Sequence, residues 1–258
     1  MLINGPVVLI LGSGPNAVQA GNWPKEPFER IVAINNAWTV RDDWDFAIHP
    51  EDFAVDRRPS PALARQRIVT HEDYIPAQNR FGGVIYAGGT MAFTAGYWAL
   101  AGLRPSVMAF MGCDMVYPAS GHTHFYGTGT PDPLRADVTL QSLEAKSARL
   151  FLLAAAMGCA CVNLSSGPSR LVLPHADRVS LADVYVASPG DEVLLSAKSA
   201  EADLGHAAPT GRYWEIEDQL DAAALARIDE LWLNAFSAAD TRLRERLHEN
   251  PAPQSMTG

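Results

Sequence analysis

The chain has 258 residues, enough for one large α/β core or for a core with an appendage. Hydrophobic residues make up 48% and charged ones 19%, which excludes a largely disordered chain, and the net charge of −9 argues against a general nucleic-acid binder, which needs a basic face. No apolar run approaches the ~20 residues of a membrane span. The start, MLINGPVVLILGSGP, lacks a basic n-region and so reads as a first strand rather than a signal peptide, which points to the cytoplasm.

Val7 to Leu11 is a continuous apolar run rich in branched side chains, as in a strand buried on both faces. It breaks at Gly12-Ser13-Gly14-Pro15, and an amphipathic helix is expected from about Asn16. Arg30 to Ile34 predicts the second strand, ending at Asn35-Asn36. Asp45 to Ile48 predicts a third, ending at His49-Pro50, and Arg67 to Thr70 a further one. Gly88 to Gly102 reads as a helix that is apolar almost all round and hence buried. Val107 to Met111 is the next strand, breaking at Gly112-Cys113-Asp114.

Tyr117 to Ala136 is rich in Gly, Pro, Thr and His, and a segment of this length without regular structure suggests a lid or binding loop. Leu140 to Gly158 predicts a helix closed by its C′ glycine, and Ala160 to Leu164 the last core strand, followed by Ser165-Ser166-Gly167-Pro168. This alternation predicts a Rossmann-like, mostly parallel sheet with helices on both faces, filling residues 1–174. Residues 175–258 read as a C-terminal appendage. Within it Asp191 to Gly211 is small and polar, and Leu220 to His248 is helical. Leu225, Ile228, Leu231, Leu243 and Leu247 share one side of that helix, either packed on the core or used to form a homo-oligomer. Residues from Asn250 on are expected to fray. Cys113, Cys159 and Cys161 form no zinc pattern and read as buried thiols.

The chemistry-bearing residues fall at strand ends, where parallel sheets bind ligands. Gly12, Ser13, Gly14 and Asn16 form a turn whose backbone can approach a phosphate at a helix N-terminus, or a plain tight turn. It is neither the dinucleotide fingerprint nor a Walker loop. Asn35 and Asn36 offer amides that can read a nucleoside, or an Asx turn. Gly89 and Thr90 open the buried helix as a second anion site or as an ordinary N-cap. His49, Gly112 and Asp114 close the third and fifth strands. In the loop, His122 and His124 offer a general base near neutral pH, or metal ligands, or exposed side chains, with Tyr117 and Tyr126 as phenol donors.

The order of these motifs resembles the bacterial lipooligosaccharide sialyltransferase family and is similar to the related archaeal 6-hydroxymethylpterin diphosphokinase-like proteins. The likeness covers Val7 to Arg170. The family's GNGPS turn corresponds to Gly12-Ser13-Gly14-Pro15-Asn16, and its strand-end Asn with a following aromatic to Asn35 with Trp38. Its Asn-Pro before an aromatic corresponds to His49-Pro50 with Phe53, and its Thr-Ser-Gly loosely to Gly88-Gly89-Thr90. Gly-x-Asp-Phe-Tyr corresponds to Gly112-Cys113-Asp114 with Tyr117, Gly-His-Ser to Gly121-His122-Thr123, and Pro-Asn-Ser to Gly167-Pro168-Ser169. At Ser13 and His49 the chain departs from the family's asparagines.

The resemblance implies a transferase using a CMP-sugar-like donor without a metal. His122, or its rival His124, would be general base on a small-molecule or glycan acceptor, while Tyr117 and Tyr126 steady the departing phosphate. The diphosphokinase likeness implies Mg²⁺ instead, with Asp114 as the ligand. A non-catalytic nucleotide-binding protein is the third reading.

Overall fold

In the computed structural model, residues 5–117, 121–129, 135–188 and 190–249 are described. Expectations for residues 118–120 and 130–134 of the long loop, for the side chains of Leu243 and Leu247, and for the tail from Asn250 lie outside the described residues. Six strands form one parallel sheet: β1 (Val7–Leu11), β2 (Arg30–Ile34), β3 (Phe46–Ile48), β4 (Arg67–Val69), β5 (Val107–Met111) and β6 (Ala160–Asn163). Their order is β4-β3-β2-β1-β5-β6, with Leu11 of central β1 level with Ala33 and Met111 on its two sides. This is the expected Rossmann-like α/β sheet.

The unbroken apolar runs are explained by burial on both faces. Val8 and Ile10 join one core with Phe93, Leu150 and Trp232, whereas Leu9 and Leu11 join a second with Ala17, Ala20 and Phe28. The first core is roofed by α-helices: α1 (His71–Asn79), α2 (Val84–Ala87), α3 (Met91–Gly102), α4 (Leu143–Ala156), α5 (Asp191–Leu204) and α6 (Ala222–Glu249). The second is covered by short 3₁₀ helices, among them Pro15–Asn22 and Asn35–Thr39. The first connection is thus 3₁₀ rather than an amphipathic α-helix. Pro15 starts it, and Trp23, which precedes Pro24, is extended and stops it after eight residues.

Three helices were not legible as such, the four-residue α2 among them. α1 carries a capping box, Thr70 with Asp73, but its internal Pro76 and weak periodicity conceal it. α5 lies in the small, polar stretch and ends at Gly205, which adopts the left-handed conformation.

The C-terminal stretch packs on the core. α6 runs along α4 and α5, burying Leu225, Ile228, Trp232, Ala235 and Ala239. Two buried ion pairs cross these contacts. Lys146 Nζ meets Asp229 Oδ1 at 2.7 Å, with both side chains at most 5% exposed. Arg149 forks onto both Glu201 oxygens at 2.6 and 2.7 Å and also donates to the Tyr97 hydroxyl, while Trp232 Nε1 donates to Glu201 Oε1. Burial raises the Asp229 carboxyl above its ordinary value, the opposing pull of Lys146 notwithstanding. None of the described helices is long and apolar enough to cross a membrane.

Removing one partner of such a pair strands the other charge. Asp229→Ala is expected to cost ~3–5 kcal/mol in urea unfolding, whereas an apolar replacement of both Lys146 and Asp229 should be far milder. A loss below about 1 kcal/mol for Asp229→Ala would show that Lys146 finds water or another partner.

Candidate functional site

The chain leaves β1 towards β2, β3 and β4, then returns to β5 on the other flank of β1. The topological switch point therefore lies between the carboxyl ends of β1 and β5, the place where open α/β sheets bind ligands. Here the two glycine turns touch. Gly12 N donates to Met111 O and Gly14 N to Gly112 O, each at 2.8 Å. A Cβ on Gly12 would lie 2.3 Å from Gly112 O, and Gly112, at φ +71°, has no room for one against Ala17. Ser13 Oγ donates to Ile34 O, tying the turn to β2.

A cavity of about 330 Å³ opens above these turns. Of the residues expected to bind nucleotide, Gly12, Ser13, Gly14, Asn16, Asn35, Thr90, Gly112 and Asp114 line it, together with Tyr117 and His124. Five others lie elsewhere. The 3₁₀ turn at Asn35–Thr39 buries Asn36. His49 is buried beside the third strand end, its Nδ1 paired with Pro50 O and its ring stacked on Phe53. Gly89 lines the neighbouring cleft. His122 and Tyr126 are exposed, outside the cavity lining.

Asp114 sits at the centre of an amide network. It accepts from Asn16 Nδ2 at 2.9 Å and from Asn163 Nδ2 at 3.0 Å, and its backbone O accepts from Arg170 N. Asn163 is not legible as a site residue, because the strand run reads on to Leu164. As a polar residue ending an apolar strand it carries the same signal as Asn35. The bond to Asp114 fixes the Asn16 amide with Nδ2 towards the carboxylate, since the flipped amide would set oxygen against oxygen. Asn16 Oδ1 is consequently left buried without a partner, and so is Asn35 Oδ1. Asn35 also holds φ +52°, a left-handed conformation that asparagine tolerates better than most residues.

Among the described residues, no lysine or arginine lines the cavity. The Gly14 N–H, expected to face phosphate, is engaged by Gly112 O, and Pro15 has no N–H. The turn thus offers fewer anion donors than its sequence suggests. Among the described residues no three His, Cys, Asp or Glu side chains gather as a metal site. Both Asp114 oxygens already receive amide hydrogens, so its carboxylate is a poor match for a magnesium ligand.

The loop histidine is held in a defined state. Phe125 N donates to Ser13 O at 3.1 Å, docking the loop on the glycine turn, and His124 and Gly127 exchange backbone hydrogen bonds. Thr123 Oγ1 donates to Gly129 O and accepts from Gly129 N. With its one hydrogen committed, it faces His124 Nδ1, 2.9 Å away, as an acceptor. With Thr123 donating to Gly129 O, the network is satisfied when Nδ1 carries the proton and Nε2 the lone pair. The ring lies between Tyr117 (centroids 5.9 Å apart) and Tyr126 (5.0 Å, nearly parallel). Burial pushes the His124 imidazole below the ordinary histidine value of 6.5, favouring the neutral form.

Compared with family models, curated proteins and solved structures, the chain matches none significantly. The likeness to sialyltransferases accordingly stands on its motifs alone.

An unpartnered buried amide oxygen costs stability, about 1–3 kcal/mol as a rule. Asn35→Gly removes it and suits the backbone conformation, so the variant is expected to be at least as stable as the parent in urea unfolding. A clear loss of stability would mean that the Asn35 side chain holds the fold rather than awaiting a ligand.

Proposed function

We propose that the protein is a transferase that takes a nucleotide-sugar donor in the switch-point cavity and uses His124 as general base on an acceptor hydroxyl. The observation that carries this reading is His124 itself, a half-buried imidazole lining the cavity with its Nδ1 2.9 Å from Thr123 Oγ1. Its Nε2 takes the acceptor's proton as the acceptor oxygen bonds to the donor's anomeric carbon and the bond from that carbon to the phosphate oxygen breaks. The imidazolium so formed supplies positive charge as the phosphate departs, in a cavity lined by no lysine or arginine. Tyr117 supplies a phenol beside the same ring.

The two unpartnered oxygens, on Asn16 and Asn35, ask for N–H or O–H donors on the ligand. A nucleobase amine or sugar hydroxyls answer that demand, and a bare phosphate does not. The donor's nucleoside or sugar, rather than its phosphate, is therefore placed against these amides. Of the two histidines, His124 is preferred to His122 because only the former lines the cavity. Diphosphate transfer is the less favoured reading, since a triphosphate needs cations that neither the lining nor Asp114 readily provides.

Thermal shift with CMP, UMP, ADP, GDP and their sugar conjugates tests the binding step. At least one is expected to stabilise the parent and to bind Asn35→Gly less tightly. Silence from the whole set would end this reading.

Once a donor is found, His124→Ala is expected to lower the transfer rate by ~10²–10⁴ with donor affinity largely kept, while His122→Ala stays near the parent. Full activity in the double variant would rule out both histidines as the general base. Loss of activity in EDTA that Mg²⁺ restores would favour diphosphate transfer.

Rate should depend on pH through the same group. Neutral His124 is the active form, so kcat/KM should fall as pH drops through its pKa. That acid limb is expected below the ordinary histidine value of 6.5. An acid limb above that value would point to a different base.

A further inference from the structure

A second cleft, of about 840 Å³, meets the first at Thr90 and Met91, which line both. It is bounded by α1, by the Pro50–Asp52 turn after β3 and by the segment from Thr210 to Glu215. We propose that this cleft binds a neutral saccharide, with Trp214 as its stacking platform, and that the saccharide is the acceptor of the transfer. The acceptor role rests on the transferase reading, whereas saccharide binding does not.

Trp214 is 61% exposed, an unusual position for the largest aromatic side chain. Its ring packs edge-on against Tyr213, with centroids 5.6 Å apart. Tyr213 is buried, donating its hydroxyl hydrogen to Asp137 and accepting from Arg135 Nη2 at 3.0 Å. Asp137 is further held by Thr139, and Arg135 reaches Gly89 O. The segment itself is pinned to α1, where Asn79 Nδ2 donates to Pro209 O and Gly211 lies against Ile75. An exposed indole packed against an anchored tyrosine at the mouth of a cleft is suited to the apolar face of a sugar ring.

The charges select against an anion. Arg135 is neutralised by Asp137 and Arg212 lies 3.6 Å from Glu215, so neither cation confronts the cleft with an unbalanced charge. Glu51 and Asp52 form no ion pair among the described residues, and their charges, added to burial, raise the Tyr74 phenol above its usual value. The cleft therefore presents carboxylate acceptors and a protonated phenol, with His71 and Gln78 close by. Phosphates and sialylated ligands are repelled by this wall, while sugar hydroxyls can donate to it. The volume falls within the ~300–1,000 Å³ usual for small-ligand sites. Thr90 and Met91 line both cavities, so a ligand here lies next to the cavity that holds His124.

The test is saturation-transfer NMR on the full chain with glucose, galactose, maltose and lactose, against spermidine and inorganic phosphate as charged controls. At least one saccharide is expected to bind, with affinity reduced about tenfold or more in Trp214→Ala, partly kept in Trp214→Phe, and unchanged in His122→Ala. Circular dichroism and urea unfolding check that Trp214→Ala folds. Binding that survives Trp214→Ala in a folded protein, binding of spermidine or phosphate in place of any sugar, or no binding across the set would each overturn the proposal. Nucleotide binding is measured separately on the same samples. Sugar binding without nucleotide binding would keep the cleft and sink the transferase reading, and nucleotide binding without sugar binding would do the reverse.

Discussion

The contact between the turns after β1 and β5 is the constraint from which the candidate site follows. The Gly12 Cα approaches Gly112 O so closely that no side chain fits, and each turn's geometry is set by hydrogen bonds to the other. Because the turns meet, Asn16 reaches Asp114 across nearly a hundred residues of sequence, and Asn163 reaches it from β6. Ser13, raised by the same turn, offers the carbonyl on which the histidine loop docks. A bulkier residue at either glycine would part β1 from β5 and separate the groups that line the cavity.

The polarity of the cavity is as informative as its place. Switch-point sites commonly receive phosphate on free backbone N–H groups. Here the Gly14 N–H is engaged internally, proline occupies the next position, and the polar lining consists mainly of amides, one carboxylate, hydroxyls and one imidazole. Such a lining favours an uncharged, donor-rich portion of a ligand. It also leaves His124 as the group that can become cationic within the cavity, which connects the state of the histidine with the charge that develops in the proposed transfer.

The C-terminal stretch is bound to this arrangement through the interior. Arg149 and Lys146, both on α4, enter the low-dielectric core and are compensated by Glu201 of α5 and Asp229 of α6. Pairs of this kind add little net stability over apolar packing, but they penalise any arrangement in which a partner is missing. Between α5 and α6 the chain crosses α1, carrying Tyr213 and Trp214 to the wall of the second cleft. The late part of the chain thus completes a cleft begun by the early part.

Several features were legible in the sequence because their causes are local. Unbroken branched runs such as Val7–Leu11 announce strands buried on both faces, and the glycine and asparagine breaks after them mark the ligand edge of a parallel sheet. The parallel α/β fold and the strand-end part of the cavity lining follow from those signals. Tertiary structure decided what depends on distant partners. It chose His124 over His122 as the cavity residue through Thr123, Gly129 and the contact with Ser13, although both histidines look alike in sequence. It turned Asn36 and His49 away from the cavity, and it made a helix of the polar stretch Asp191–Leu204 by giving Glu201 a buried arginine. Periodicity and turn chemistry act over a few residues and can be read along the chain, whereas burial, tautomer and charge pairing are set by atoms brought together only when the chain folds.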